Sequence, residues 1–147
     1  FNGAAWTKNK FKANLIAADN ESPFGVYIYA GYHPKSASHT NFHPGKKMIR
    51  LYRDKASWST NVPVLAKSLL LGPENVYLAG VRDEVDSDDP WSHYDGKQGA
   101  LLVVYSKEDG RLKSEMELES PPVFDGLAAA ANKLIVSCKD GSVLCFE

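Results

Sequence analysis

The densest group of potential metal ligands is an acidic run in the second half of the chain. Residues 82–91 read Arg-Asp-Glu-Val-Asp-Ser-Asp-Asp-Pro-Trp and hold five carboxylates, those of Asp83, Glu84, Asp86, Asp88 and Asp89. Oxygen ligands at alternate positions suit a hard cation such as Ca²⁺, although the run lacks the Gly and the Glu that an EF-hand loop places at its sixth and twelfth positions. The run therefore predicts either a calcium site built on Asp83, Asp86, Asp88 and Asp89 or a solvated acidic loop.

Three histidines form a second group of potential ligands. His33, His39 and His43 lie in a stretch rich in Pro, Ser and His, with five residues between the first two and three between the last two. Three imidazoles can hold zinc or copper, and a polar loop without metal is the alternative. The chain has no Ser-His-Asp order, P-loop or dinucleotide-binding fingerprint, so the sequence predicts no catalytic residues.

Aromatic side chains stand beside both groups. Tyr32 precedes the first histidine, and Trp91 and Tyr94 follow the acidic run, with His93 between them. Trp91 either packs its loop onto the domain or presents its ring to a ligand. The residues expected to contact a ligand are Tyr32, His33, Trp91, His93 and Tyr94.

The elements that position these groups are short strands. No segment longer than ten residues holds a 3.6-residue apolar period, and short β-rich runs alternate with Gly, Pro, Asn and Asp, which predicts an all-β fold. A chain of 147 residues with a net charge of −1 suits one domain and offers no electrostatic surface for nucleic acid. No apolar run approaches the roughly 18 residues that span a bilayer, so no membrane insertion is expected.

An internal repeat sharpens the fold class. Residues 75–80 and 99–105 resemble residues 133–138 and 141–146 at offsets of 58 and 42, which isolates an insertion of 16 residues in the earlier copy. A repeat of about 40 residues built of short apolar strands is typical of a β-propeller blade. Apolar side chains on both faces of these strands favour stacked blades. An ordinary β-sandwich with an accidental internal likeness is the alternative.

The repeat divides the chain into about two and a half four-stranded antiparallel blades of an incomplete propeller. Residues 1–63 form the first blade, which lacks its opening strand, residues 64–120 form a complete second blade, and residues 121–147 form a third that lacks its closing strand. The predicted strands are 14–19, 48–52 and 58–64, then 66–71, 76–81, 100–105 and 112–118, then 127–131, 134–138 and 143–146. Open blade faces of this kind need a cover, which the remaining blades of a longer parent chain or a second copy would supply.

Two long insertions interrupt this pattern, at residues 20–46 and residues 82–98. Both connect the second and third strands of a blade, and in a propeller all such connections emerge on one face. We therefore expect the histidines, the acids and the nearby tyrosines on one common surface. Long loops on a rigid scaffold are where binding usually resides.

Cys138 and Cys145 are the only cysteines, and they lie on the two arms of one predicted hairpin. With a two-residue turn they share a face but lie diagonally, roughly 7–8 Å apart. With a three-residue turn that carries a Gly bulge they fall on opposite faces. Neither register favours a disulfide, so both are expected to be buried free thiols.

Residues 99–110 and 133–146 resemble the repeats of PQQ-like (quinoprotein-type) propellers, in which a strand, an Asp-Gly-type turn and a second strand recur in each blade. The likeness covers residues 64–147 well and residues 12–63 weakly. Together with Asp89-Pro-Trp91 and residues 122–126, it is similar to the C-terminal portion of large bacterial propeller proteins. The resemblance implies a secreted, periplasmic or envelope-associated location.

Enzymatic members of that family hold pyrroloquinoline quinone between a Trp face and, in several, a disulfide of adjacent cysteines. This chain has no adjacent cysteine pair, and none of its tryptophans matches the cofactor platform, so the quinone is not expected on this chain alone. The same blades serve redox enzymes and scaffolds. We expect binding or scaffolding rather than catalysis, with a protein or glycan partner on the insertion loops. The alternative is a fragment of a quinone- or metal-dependent oxidoreductase.

Overall fold

Three separate antiparallel sheets make up the protein. The computed structural model describes residues 11, 13–28, 45, 48–54 and 58–147. Sheet I contains β1 (Leu15–Ala18), β2 (Pro23–Tyr27), β3 (Arg50–Arg53) and β4 (Ser59–Asn61). Sheet II contains β5 (Val64–Leu71), β6 (Asn75–Arg82), β7 (Ala100–Ser106) and β8 (Leu112–Leu118). Sheet III contains β9 (Pro122–Ala130), β10 (Lys133–Cys138) and β11 (Val143–Phe146). The predicted all-β class is confirmed.

Each strand pairs with its neighbour in sequence, so every sheet is a meander of consecutive strands. In sheets II and III all seven strands form where the sequence predicts them, although β9 starts five residues earlier, at Pro122. Sheet I differs, because β2 forms inside the segment 20–46 that was predicted to be an insertion. The turn before β2 is tight, since Oδ1 of Asp19 accepts hydrogen bonds from the N–H groups of Glu21 and Ser22 at 2.8 and 2.9 Å. Sheet I therefore has four strands, and its opening strand is present.

The strand register corrects the length of the insertion in sheet II. Val76 lies opposite Tyr105, and Leu134 lies opposite Phe146. Equivalent residues are thus 58 apart in the second strands and 41 apart in the third strands, so the insertion has 17 residues rather than 16. The one-residue difference comes from the β10–β11 turn, a three-residue loop that ends on Gly141 at φ +89°.

The same turn decides where the two cysteines point. Cys138 lies on the face with Val136 and is buried, whereas Cys145 pairs with Ile135 on the other face and is exposed. The observed turn has three residues, and the two free thiols lie on opposite faces, as predicted for a turn of that length. The expectation that both thiols are buried is wrong for Cys145.

Sheet II is packed on both faces. One face meets sheet I in a core that includes Phe24, Leu51, Leu78 and Val103, and the other meets sheet III in a core that includes Leu102, Leu127 and Val136. The first strands of the three sheets lie side by side, with β5 between β1 and β9. Alternating apolar residues on both faces are what a strand in the middle layer of a stack requires.

Polar contacts fix the sheets against one another. The buried hydroxyl of Ser68 on β5 accepts a hydrogen bond of 2.7 Å from the N–H of Gly126 on β9. Between sheets I and II, Lys107 Nζ lies 2.5 Å from Asp19 Oδ2. Polar contacts therefore join the sheets as well as apolar packing, between the inner strands β5 and β9 and between the β1–β2 and β7–β8 turns.

The outer face of sheet III is open within the described residues. Val143 lies on that face and is 65% exposed, and Phe124, in the irregular part of β9, is 73% exposed. By the register, Val143 is equivalent to Leu102 of sheet II, which is buried against sheet III. A position that is covered in one sheet is thus uncovered in the next.

Candidate functional site

Two long connections leave the same end of neighbouring sheets. Residues 28–49 join β2 to β3 and residues 83–99 join β6 to β7; we name these the first and the second connection. The N–H of Gly45 in the first connection donates a hydrogen bond of 2.8 Å to Oδ1 of Asp83 in the second. The side chain of Val85 also lies against Gly45. The two connections are therefore in direct contact, as the topology predicts.

Asp83 is held firmly in this contact. It is buried, and its own N–H donates a hydrogen bond of 2.8 Å to the carbonyl of Pro63, which directly precedes β5. A carboxylate that accepts a backbone N–H in a buried setting makes one of the stronger classes of hydrogen bond. In this structure Asp83 ties the two connections to each other and to the start of sheet II.

The side chains of three other acids in the run engage protein groups. Asp86 Oδ1 accepts a hydrogen bond of 2.9 Å from the N–H of Asp88, which closes a local turn. Asp89 pairs with Lys97 at 2.9 Å, and Glu84 lies 3.7 Å from Arg82. Among the described residues, no group of three or more His, Cys, Asp or Glu side chains is placed to hold a metal. Calcium binding by this run stays a prediction.

The charges of the second connection converge on one lysine. The hydrogen bond from Lys97 lowers the pKa of Asp89. The pKa of Lys97 is raised in turn, first by its hydrogen bond to Asp89 and then by the charges of Asp89, Asp95 and Asp86. Three carboxylates therefore act on a single cation, and the surface around it is acidic.

A single helical turn, α1 (Ser92–Asp95), forms the centre of the second connection. Ser92 is buried, and its hydroxyl donates to the carbonyl of Asp89 at 2.6 Å and accepts from the side-chain amide of Gln98 at 3.1 Å. The turn ends at Gly96, whose φ of +77° places its backbone against Pro121. This connection is thus a folded unit packed onto sheet II.

The aromatic residues of α1 divide into a buried and an exposed part. His93 is fully buried, and its Nδ1 lies 3.1 Å from the carbonyl oxygen of Glu84. Trp91 is 67% exposed, and its ring centroid lies 6.2 Å from that of the half-buried Tyr94. Tyr94 in turn meets His93 edge-on at 5.2 Å. Trp91 and Tyr94 can contact a ligand. His93 is buried beneath Tyr94 and is not accessible to a ligand in this structure.

The predicted residues of the first connection, Tyr32, His33, His39 and His43, lie outside the described residues. Zinc or copper binding by these histidines stays a prediction. Sequence reasoning missed the role of Gly45 and Ser92, because a backbone N–H and a small hydroxyl leave no pattern in the sequence.

No family model, curated protein or solved structure matches this chain. Within the described residues, no helix has the length and the apolar character needed to cross a membrane. The geometry of the connections is thus the basis for assigning a function.

Proposed function

We propose that this chain is a β-propeller segment of the PQQ-like kind that binds a protein or glycan partner and performs no catalysis. The binding surface is the insertion face, which we define as the surface formed by the first and the second connection. Three meandering sheets with their first strands side by side support the propeller, because blades are arranged in this way around an axis.

The observation that carries the proposal is the hydrogen bond between Gly45 and Asp83. It joins Gly45 of the first connection to Asp83 of the second, and the second connection rests on a packed base of Ser92 and His93. A rigid scaffold that carries adjoining long loops is a common design for recognition.

Trp91 and Tyr94 are the central contact residues of the proposal, with Tyr32 and His33 on the first connection. Tryptophan and tyrosine give large contact areas at a low cost in side-chain entropy, and they are enriched among the residues that dominate binding energy. The half-buried Tyr94 holds the exposed ring of Trp91 in place. A sugar ring or an apolar side chain of a partner can stack on such a surface.

The open face of sheet III supports a second contact in the assembled protein. Val143 is exposed there at a position of the repeat that sheet II buries, and Phe124 of the same sheet is also exposed. We propose that further blades of a longer parent chain or a second copy cover this face, in a secreted, periplasmic or envelope-associated protein. Val143→Lys should then weaken the assembly measured by analytical ultracentrifugation.

The test of partner binding compares two exposed aromatic residues, one on the second connection and one on β9. Trp91→Ala and Phe124→Ala each remove a ring that is more than half exposed, but only Trp91 lies on the insertion face. The full chain and both variants are screened on a glycan array and on a peptide array. We expect Trp91→Ala to lower the affinity for the best ligand at least 10-fold and Phe124→Ala to leave it within 2-fold.

Equal affinities of Trp91→Ala and the parent chain would contradict the insertion face as the binding surface. A parallel titration with pyrroloquinoline quinone and Ca²⁺ addresses the oxidoreductase alternative. Saturable quinone binding with reduction of an acceptor dye would replace the binding proposal by that alternative.

A further inference from the structure

We infer that a cleft between sheets II and III is a second ligand site, which takes a small uncharged aromatic molecule. The cleft has a volume of about 520 Å³. It opens beside the β5–β6 turn at Gly72 and the β9–β10 turn at Asn132. These turns lie at the end of the sheets opposite the insertion face, so this inference does not rest on the proposed function.

The cleft exists because β9 supplies too little volume to fill it. Ala129 lies opposite Leu134 of β10, on the face that turns toward sheet II, and it carries only a methyl group. Ala131 and Asn132, both at positive φ, form the tight turn that joins β9 to β10. At the inner strands the sheets are held together by the bond between Ser68 and Gly126, and the space opens away from that bond.

The walls of the cleft are apolar and partly aromatic. Tyr77 and Val104 face it from sheet II, Met116 from β8, and Phe146 from β11. Aromatic rings and a thioether sulfur favour an aromatic guest, because ring–ring and sulfur–ring contacts add to apolar burial.

The polar groups at the opening of the cleft disfavour a charged ligand. Lys133 Nζ pairs with Glu147 Oε1 at 2.7 Å, so the two charges at the rim neutralise each other. Ser114 and Asn132 add neutral polar groups at the edge. A volume of this size lies within the range of about 300–1,000 Å³ that is typical of small-molecule pockets with apolar walls and a few polar groups. The guest that fits is a flat ring system with one neutral polar substituent.

The test uses two adjacent alanines on opposite faces of β9. Ala129 lines the cleft, whereas Ala128 pairs with Ile135 on the open face of sheet III. The probe is the uncharged dye N-phenyl-1-naphthylamine, titrated into the full chain and followed by fluorescence. We expect saturable binding of one dye per chain, at least a 10-fold loss of affinity in Ala129→Phe, which fills the cleft, and a change within 2-fold in Ala128→Phe.

A second pair keeps the test decisive if Ala129→Phe fails to fold. Met116 faces the cleft from β8, and its neighbour Glu115 lies on the opposite face of that strand. Met116→Lys should weaken dye binding at least 10-fold, and Glu115→Lys should not.

Three results would overturn the inference. The first is the absence of saturable binding to the parent chain. The second is loss of binding in Ala128→Phe but not in Ala129→Phe, which would place the dye on the open face of sheet III. The third is tighter binding of the anionic dye 1-anilinonaphthalene-8-sulfonate than of the uncharged dye, which would reject the uncharged class of ligand.

Discussion

The backbone N–H of Gly45 lies 2.8 Å from Oδ1 of Asp83, although 38 residues separate the two in sequence. Asp83 is buried, so the bond is shielded from competing water. It closes the contact between the two connections and ties both to sheet II through the carbonyl of Pro63. Within the described residues, this bond and the contact of Val85 with Gly45 join the two connections.

Loss of this carboxylate should therefore loosen the insertion face. Asp83→Ala removes the acceptor of a partly buried hydrogen bond and should lower the free energy of unfolding by about 1–2 kcal/mol. Asp83→Asn keeps an acceptor oxygen and should cost less. Urea denaturation measures the change, and the exposed Asp88→Ala is the control, which should stay within about 0.5 kcal/mol. Equal effects of Asp83→Ala and Asp88→Ala would contradict a structural role for the bond.

Acid should weaken the joint between sheets I and II. The hydrogen bond from Lys107, followed by those from the N–H groups of Ser22 and Glu21, holds the pKa of Asp19 well below its usual range. A carboxylate whose pKa is lowered by folding stabilises the protein above its unfolded pKa, near 4, and this contribution is lost as the pH falls below that value. Asp19→Asn should lower stability at neutral pH and flatten its decline between pH 4 and pH 2.

Thermal melts across this pH range measure the effect. The control is Glu108→Gln, an exposed neighbour of Lys107, which should keep the slope of the parent chain. An unchanged slope in Asp19→Asn would show that other carboxylates govern the acid response.

High pH should destabilise the core between sheets I and II. Burial, aided by the charge of Glu115, raises the pKa of Tyr105 to about 12. The neutral phenol is the form that the fold favours, so its contribution is fully present below the unfolded pKa near 10 and is lost as the pH rises from 10 through 12. Tyr105→Phe should retain more stability than the parent chain in that window. Ultraviolet titration at 295 nm should show a late-ionising tyrosine that this variant lacks.

Substitution of two glycines by alanine distinguishes the cost of backbone strain from the cost of a steric clash. Gly96 and Gly141 have φ values of +77° and +89°. A side chain on Gly96 would also meet Pro121 at 2.4 Å, whereas one on Gly141 would meet nothing within 4 Å. Gly141→Ala should cost about 1 kcal/mol of unfolding free energy from conformation alone, and Gly96→Ala should cost at least about 2 kcal/mol. Chemical denaturation compares them, and equal losses would argue against close packing of α1 on Pro121.

The two thiols should react at different rates in the folded protein. Cys145 is exposed and should be labelled by an aromatic disulfide reagent within the mixing time of a manual assay. Cys138 is buried and should react only after denaturant is added. One fast thiol and one protected thiol per chain is the expected count. Two fast thiols would mean that sheet III does not pack on sheet II in solution.

The positions of most strands could be predicted from the sequence because strand formation depends on local features. The predicted bounds of β8 and β11 are those observed, since Gly110 and Pro121 flank β8 closely and Gly141 precedes β11. Local features failed at β2, a five-residue strand interrupted by Gly25. That glycine is required by packing, because a side chain there would collide with Phe11.

Only part of the candidate site could be predicted from the sequence in the same way. The topology alone places the two connections at one end of neighbouring sheets. It does not reveal that Asp83 turns toward Gly45 or that His93 turns inward while Trp91 remains exposed. The helical turn α1 is too short to leave a period in the sequence.

The sequence by itself determined the class of fold, the repeat and the second connection, because each follows from patterns among neighbouring residues. The tertiary structure decided which side chains are covered. Leu102 and Val143 occupy equivalent positions in the repeat, yet one is buried and the other is exposed. The difference arises because sheet III packs against Leu102, whereas no described residue covers Val143. Burial depends on what packs against a residue, and that partner comes from elsewhere in the chain.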